Sequence, residues 1–244
     1  MNLNEYWESL KIAEKELLDL NTAWQQETKD QGSLVYSYRL DDIVNGAKET
    51  LVRLALKQIL AKHEIQNITI PEEVFKKLTQ MEGFSTEAIE EAITQPYLAE
   101  ADTEARAQLM KHARSLIPYL GYDKKATVQD IAKGKRLTLR IRWFMEYVDQ
   151  SSYGDLYAFQ VLLKAHMGNV PLSKCTLGHS SIGETIERFR ESQQPFNQAR
   201  SYVYDDGTID GFRVYKNGHL EITFKREADT ETAAKILLDQ PQEG

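Results

Sequence analysis

The chain is 244 residues long, 41% hydrophobic and 27% charged, with a net charge of −7. That length allows one large domain or two modest ones with a real core, and the overall acidity argues against indiscriminate nucleic-acid binding without excluding a local cationic site. A single cysteine, Cys175, excludes an intramolecular disulfide and a four-cysteine zinc site. No apolar run approaches the ~20 residues that span a bilayer, and the acidic, amphipathic N-terminus is no secretory signal, so a cytoplasmic protein is expected.

Residues 3–24 carry a heptad, with Leu3, Leu10, Leu17 and Trp24 at one position and Tyr6, Ala13 and Leu20 at the other. The pattern predicts a long helix whose stripe either packs on its own domain or offers an arm to a protein partner or a second copy. Beyond a loop around Asp30–Ser33, Asp41 or Asp42 can cap a second helix to about His63. Its expected stripe is Ile43, Ala47, Leu51, Leu54, Ala55, Ile59 and Leu60. The two make a helical hairpin over residues 1–68, an interaction arm, and a mixed domain is expected over 69–244.

Pro71, Glu72 and Glu73 open a third helix that Gly83 closes, and Ser85 caps the next. Between Glu82 and Glu104 seven acids stand without a Lys or Arg. They are either solvated helix faces or an acidic surface that docks a cationic element or imitates phosphates. Asp102 or Thr103 starts a helix that stops before Pro118.

Thr127 to Asp130 caps a short helix that leads into the most distinctive stretch of the chain. From 136 to 143 the residues alternate: Leu137, Leu139, Ile141 and Trp143 on one face of a strand, Arg136, Thr138, Arg140 and Arg142 on the other. Between Asp123 and Trp143 seven Lys/Arg stand against two Asp, a local charge of +5 that leaves −12 for the rest of the chain.

Ser152 to Asp155 has the outline of a capping box for a helix to Met167, striped by Leu156, Phe159, Leu162 and Leu163. Ser181 and Glu184 form a full capping box for a helix to about Ser192. The C-terminal segment 201–225 reads as a three-stranded meander, Ser201–Tyr204, Thr208–Tyr215 and His219–Lys225. Both connections fit three-residue loops with glycine in the left-handed position. Side-chain parity then pairs Val214 with Leu220 and Phe212 with Ile222 on one face, and Arg213 with Glu221 on the other. A last helix runs from Asp229 or Thr230 through Leu238. The fold class is α+β: mostly helical, with the N-terminal hairpin and a small antiparallel sheet of the 136–143 strand plus the meander.

The ending FRVYKNGHLEITFKRE, 212–227, resembles the domain-of-unknown-function family numbered 4942. Upstream, a helix near Gln108–Leu116, the Gly134-Lys135-Arg136-Leu137 strand and a Leu-rich helix at Asp155–Met167 follow a similar order, so the likeness covers about residues 70–240. This chain has Gly121-Tyr-Asp-Lys-Lys-Ala-Thr where that family carries Trp-x-Tyr-Lys-Thr-Asn. The resemblance implies a phage, plasmid or integrated-element setting, sometimes beside adenine-specific DNA methyltransferases, and no catalytic residues.

For chemistry, Arg106 and His112 have the Arg-x5-His spacing similar to the ribonuclease signature of HEPN domains, although Ala107 replaces the usual polar residue. Cys175 and His179 lack an orienting acid, which favours a buried structural thiol. Gly178 to Gly183 is not a Gly-x-Ser-x-Gly elbow. His63, His112, His166 and His219 have no zinc spacing, and no phosphate-binding or dinucleotide glycine motif occurs. Neither metal nor cofactor is called for. Ala126 to Ala132 looks like the opening helix of a lac-repressor-type domain, but a strand follows in place of a recognition helix.

Arg136, Arg140 and Arg142, with Lys124, Lys125, Lys133 and Lys135, could track a phosphate backbone of DNA or RNA, with Trp143 or Tyr122 for stacking. They could equally neutralise the 82–104 acids or an acidic protein, or form an ordinary polar sheet face. The expectation is a non-enzymatic binding protein of a mobile element that engages nucleic acid, or a nucleic-acid-handling complex, through this strand. The alternatives are a HEPN-like ribonuclease and an acidic decoy that inhibits a DNA-binding defence protein.

Overall fold

The computed structural model describes residues 2–28, 37–121, 125–144, 147–148, 150–177, 181–191, 202–215 and 217–240. Two compact units part at residue 101, Met1–Ala101 and Asp102–Gly244. The division expected after residue 68 therefore falls too early. Helices α3 (Glu72–Gln80) and α4 (Thr86–Ile93) share a core with α2 (Ser37–Lys62), through Phe75, Leu78, Ile89 and Ile93 against Val52, Leu56 and Ile59.

In the first unit α1 (Leu3–Thr28) packs on α2, and the contact follows the predicted heptad only in part, through Leu3 and Leu10. Trp7, not Tyr6, enters the core beside Leu40 and Val44, with Leu10 against it; Tyr6 is half exposed. Leu17, Leu20 and Trp24 are exposed as well, so the stripe is buried only in its first half. On α2 the buried side is Leu40, Val44, Val52, Ala55, Leu56 and Ile59, while Ile43 and Leu54 face solvent. Lys48 explains the discrepancy. It sits in the middle of the buried arc, reaches over the Trp7 ring at 5.5 Å and donates its ammonium to the Met81 carbonyl. The apolar part of its side chain covers the tryptophan while burial lowers the amine's pKa. The helix begins at Ser37, ahead of the expected aspartate cap. Ser85 caps α4 as expected, accepting from the Ala88 amide at 3.2 Å, and Gly83 takes the left-handed turn before it.

The second unit is helices against one face of a sheet. Its helices are α5 (Ala101–Ala113), α6 (Val128–Ile131), α7 (Gln150–Gly168), α8 (Ile182–Glu191) and α9 (Glu227–Leu237). Its strands are β1 (Ala132–Lys133), β2 (Arg136–Arg140), β5 (Tyr202–Val203), β6 (Ile209–Val214) and β7 (His219–Phe224), in the antiparallel order β1-β2-β7-β6-β5. A separate ladder joins β3 (Trp143–Phe144) to β4 (Tyr147–Val148). The sheet is α+β in the expected manner, and the meander register holds: Val214 pairs with Leu220, Phe212 with Ile222 and Arg213 with Glu221.

Three details differ. The basic strand ends at Arg140 rather than 143. Ile141 still donates its amide to Gly218 at 2.7 Å, but the Ser152 hydroxyl captures the Arg142 amide at 2.9 Å and the chain leaves the sheet for β3. Ser152 is thereby spent on the strand, so it does not cap α7, which starts at Gln150. The β5–β6 connection is longer than three residues, because Tyr204 donates to Asp210 rather than pairing with Thr208. Asp206 Oδ1 accepts from the Thr208 and Ile209 amides and holds that wider loop. The β6–β7 turn is the three-residue one expected, with Gly218 at φ +78°.

A bulge separates Ile209 and Gly211 in the β6–β7 ladder. It lets Ile209 and Phe212, three apart, both point into the core, which strict alternation forbids. That core joins Leu137, Leu139, Ile222 and Phe224 of the sheet to Phe159 and Leu162 of α7 and Ala233, Ala234 and Leu237 of α9.

Candidate nucleic-acid interface

Since each buried residue of β2 alternates with an outward one, Leu137 and Leu139 fix where Arg136, Thr138 and Arg140 point. The ladders extend that face across the sheet. One row runs Lys133, Arg136, Thr223, Gly211, Val203; a second runs Thr138, Glu221, Arg213; a third begins Arg140, His219. Tyr215 continues the third row, since its amide donates to the His219 carbonyl at 2.8 Å and it stands two residues beyond Arg213. Lys133, Arg136, Arg140 and His219 are exposed, and Val203 is 88% exposed, so this side of the sheet faces water while the other carries the core.

Among the described residues the three rows hold four permanent cations, Lys133, Arg136, Arg140 and Arg213, and one carboxylate, Glu221. The exposed Asp210 at the bulge of β6 adds a second carboxylate to this side. Arg136 Nε lies 3.9 Å from Glu221 Oε1, at the outer limit of an ion pair and 67% exposed. Such a contact contributes little. Among the described residues Arg140, Lys133 and Lys135 have no carboxylate within ion-pair distance. Arg213 is held differently. Its Nη1 donates to the Tyr215 hydroxyl at 3.5 Å and its guanidinium carbon is 5.7 Å from that ring's centroid, contacts that raise its pKa further.

The positions named from sequence scatter around this face. Lys133, Arg136 and Arg140 lie on it. Lys135 occupies the β1–β2 turn beside Gly134, whose φ of +57° suits a two-residue turn with glycine first. Arg142 is exposed but beyond the ladder, and Lys125 is exposed in the segment before α6. Lys124 and Tyr122 lie outside the described residues, and of the Trp143 side chain nothing is described. Two of the acids of 82–104 have partners within their own unit: Glu90 takes Lys62 and His63, and Glu87 takes Ser85 and Asn4. A bond from its own backbone amide, joined by those from Ser85 and Asn4, lowers the Glu87 pKa to about 2. Arg213, His219 and Tyr215 are the residues missed. Parity already put Arg213 outside, yet nothing local to residue 136 says that β7 and β6 are its neighbours.

Arg106 and His112 serve different carboxylates. Arg106 Nη2 donates to Asp239 at 2.7 Å, which Arg114 also contacts at 2.9 Å, and His112 Nδ1 is 3.3 Å from Asp155. Asp155 is buried and also accepts from the Ser115 hydroxyl, tying the end of α5 to α7. Arg106 lines a cavity of about 400 Å³ with Asp102, Leu162, His166, Leu172 and Ile236. Asp102 there accepts from both the amide and the hydroxyl of Ser173. Cys175 is buried, and burial pushes its thiol pKa up; His179 lies outside the described residues.

No helix among the described residues is long and apolar enough to cross a membrane, and no three His, Cys, Asp or Glu among them gather as metal ligands. No family model matches the chain, and neither characterised proteins nor solved structures provide a relative.

Proposed function

We propose that this is a nucleic-acid-binding protein without catalytic activity of its own, acting through the outward face of the sheet. The observation that carries the reading is that Lys133, Arg136, Arg140 and Arg213 share one outward surface against two carboxylates among the described residues, Glu221 and Asp210. Arg140, with no carboxylate within ion-pair distance among the described residues, keeps its donors available for phosphate oxygens, and the contact of Arg136 with Glu221 is long and exposed. Along β2 the two arginines stand about 13 Å apart at ~3.3 Å per residue, and Arg213 lies about 10 Å across two strand spacings. Phosphates of one backbone can reach all three. The mobile-element setting rests on the resemblance of residues 212–227 alone.

Binding of this kind releases counterions, so affinity should fall steeply with salt. The test is fluorescence anisotropy with labelled DNA and RNA at two salt concentrations, on the wild type and on Arg136→Glu/Arg140→Glu. The double variant should lose at least about tenfold in affinity while keeping its fold. Wild-type protein that binds neither nucleic acid, or a double variant that binds as well as the wild type, overturns the reading.

A further inference from the structure

We infer that the ligand of this face is a single strand, with its phosphates on the arginines and its bases on Tyr215 and His219, and not a duplex. The inference rests on the phosphate-binding reading above and narrows its substrate. Four features point the same way.

First, the third row sets Arg140, His219 and Tyr215 side by side on neighbouring strands. Outward positions so paired are about 5 Å apart, so an imidazole and a phenol ring adjoin a guanidinium. Unstacked bases bind such platforms, and only single strands expose base faces. Arg213 lies against the Tyr215 ring and bonds its hydroxyl, which fixes the ring's orientation before a ligand arrives.

Second, the first row is low. Thr223 and Gly211 separate Arg136 from Val203, and Gly211 has no room for a side chain, because a Cβ there would come within 2.6 Å of the Tyr202 carbonyl oxygen. A single backbone can cross that lane at close range.

Third, a duplex is read by an element that protrudes into a groove, usually a helix or a two-stranded ribbon. The helices of this unit that pack against the sheet do so on its other side, so none of them is presented here to enter a groove.

Fourth, four cations against two carboxylates, Glu221 and Asp210, are few for a lattice with a charge every ~1.7 Å. The chain as a whole carries −7. Single strands demand less neutralisation and add stacking.

The experiment compares oligo-dT, oligo-U and a mixed-sequence duplex of equal length, by anisotropy on the full chain at one salt concentration. The single strands should bind at least about tenfold more tightly than the duplex. Tyr215→Ala should weaken single-strand binding by roughly five- to a hundredfold with an unchanged salt slope, and Tyr215→Phe should retain most of it. Arg140→Ala should instead reduce the slope by about 0.7. An oligonucleotide carrying 2-aminopurine should change fluorescence on binding to the wild type and less so with Tyr215→Ala. A duplex that binds as tightly as the single strands, or a Tyr215→Ala variant that binds them unimpaired, overturns this inference and leaves the phosphate-binding reading standing. Binding to none of the three ligands overturns both.

Discussion

The two faces of the sheet are written in the same strands yet obey different rules. Inward, Leu137, Leu139, Phe212, Val214, Leu220 and Ile222 are all but inaccessible, and each is constrained by volume. Outward, the same strands carry the exposed Arg136, Arg140 and His219 and the half-buried Arg213 and Tyr215, which are constrained mainly by charge and reach. One parity of the alternation supplies stability and the other supplies chemistry. The two should therefore be separable by mutation.

The largest effect belongs to the inner face. Phe212→Ala empties a buried site between Tyr202 and Tyr204, whose rings lie 5.3 and 6.3 Å away, and should cost about 3–5 kcal/mol in urea denaturation. A loss under about 1 kcal/mol would mean that this face is not the core. Gly211→Ala comes next. It lies on the outer face, yet its new methyl meets the Tyr202 carbonyl, so it should cost about 1–3 kcal/mol by prying β5 from β6. That substitution marks where the distinction between the faces ends. Arg136→Glu/Arg140→Glu should then leave stability within about 0.5 kcal/mol while binding collapses, the cleanest test of separability. Glu221→Gln should raise nucleic-acid affinity about two- to fivefold by removing the carboxylate that stands among the arginines, measured by the same anisotropy titration.

The smallest effect concerns a paired charge at the edge of the sheet. Lys225 donates to Asp205 at 2.7 Å, and that bond, with one from the Gly207 amide, lowers the Asp205 pKa while raising that of Lys225. A carboxyl depressed in the folded state stabilises above its unfolded pKa of about 3.9, and that contribution vanishes as pH falls through the folded value. Asp205→Asn should thus denature at slightly lower urea than the wild type at neutral pH and coincide with it in strong acid. A gap that persists in acid would assign the effect to loop geometry instead.

The parts of this contrast legible in the sequence were those set by strict alternation. Parity alone gives the Val214–Leu220 register and sends Arg136, Arg140 and Arg213 outward. What stayed hidden was set by tertiary capture. Ile141 and Arg142 continue the alternating pattern perfectly, and only the Ser152 hydroxyl, ten residues on, ends the strand. Likewise Lys48 masks the buried arc of α2, because no local rule distinguishes a lysine lying over Trp7 from one in water. The candidate surface was half visible for the same reason. Its β2 cations form a run, but Tyr215 and His219 join them only through a pairing that spans some eighty residues of chain.

The bulge at Asp210 has a consequence for length changes. It shifts the phase of β6 by one residue, so the outward set after it, Gly211, Arg213 and Tyr215, is offset from the residues before it. Deleting Asp210 would remove the bulge and restore simple alternation, with Ile209 still inward beside an outward Gly211 and the charged positions where they are. A deletion after Gly211 would instead have to turn Arg213 toward Phe159 and Leu237 or break the hairpin. Two deletions a few residues apart would thus have unlike fates, one a regular ladder with its core intact and the other a guanidinium driven into hydrocarbon.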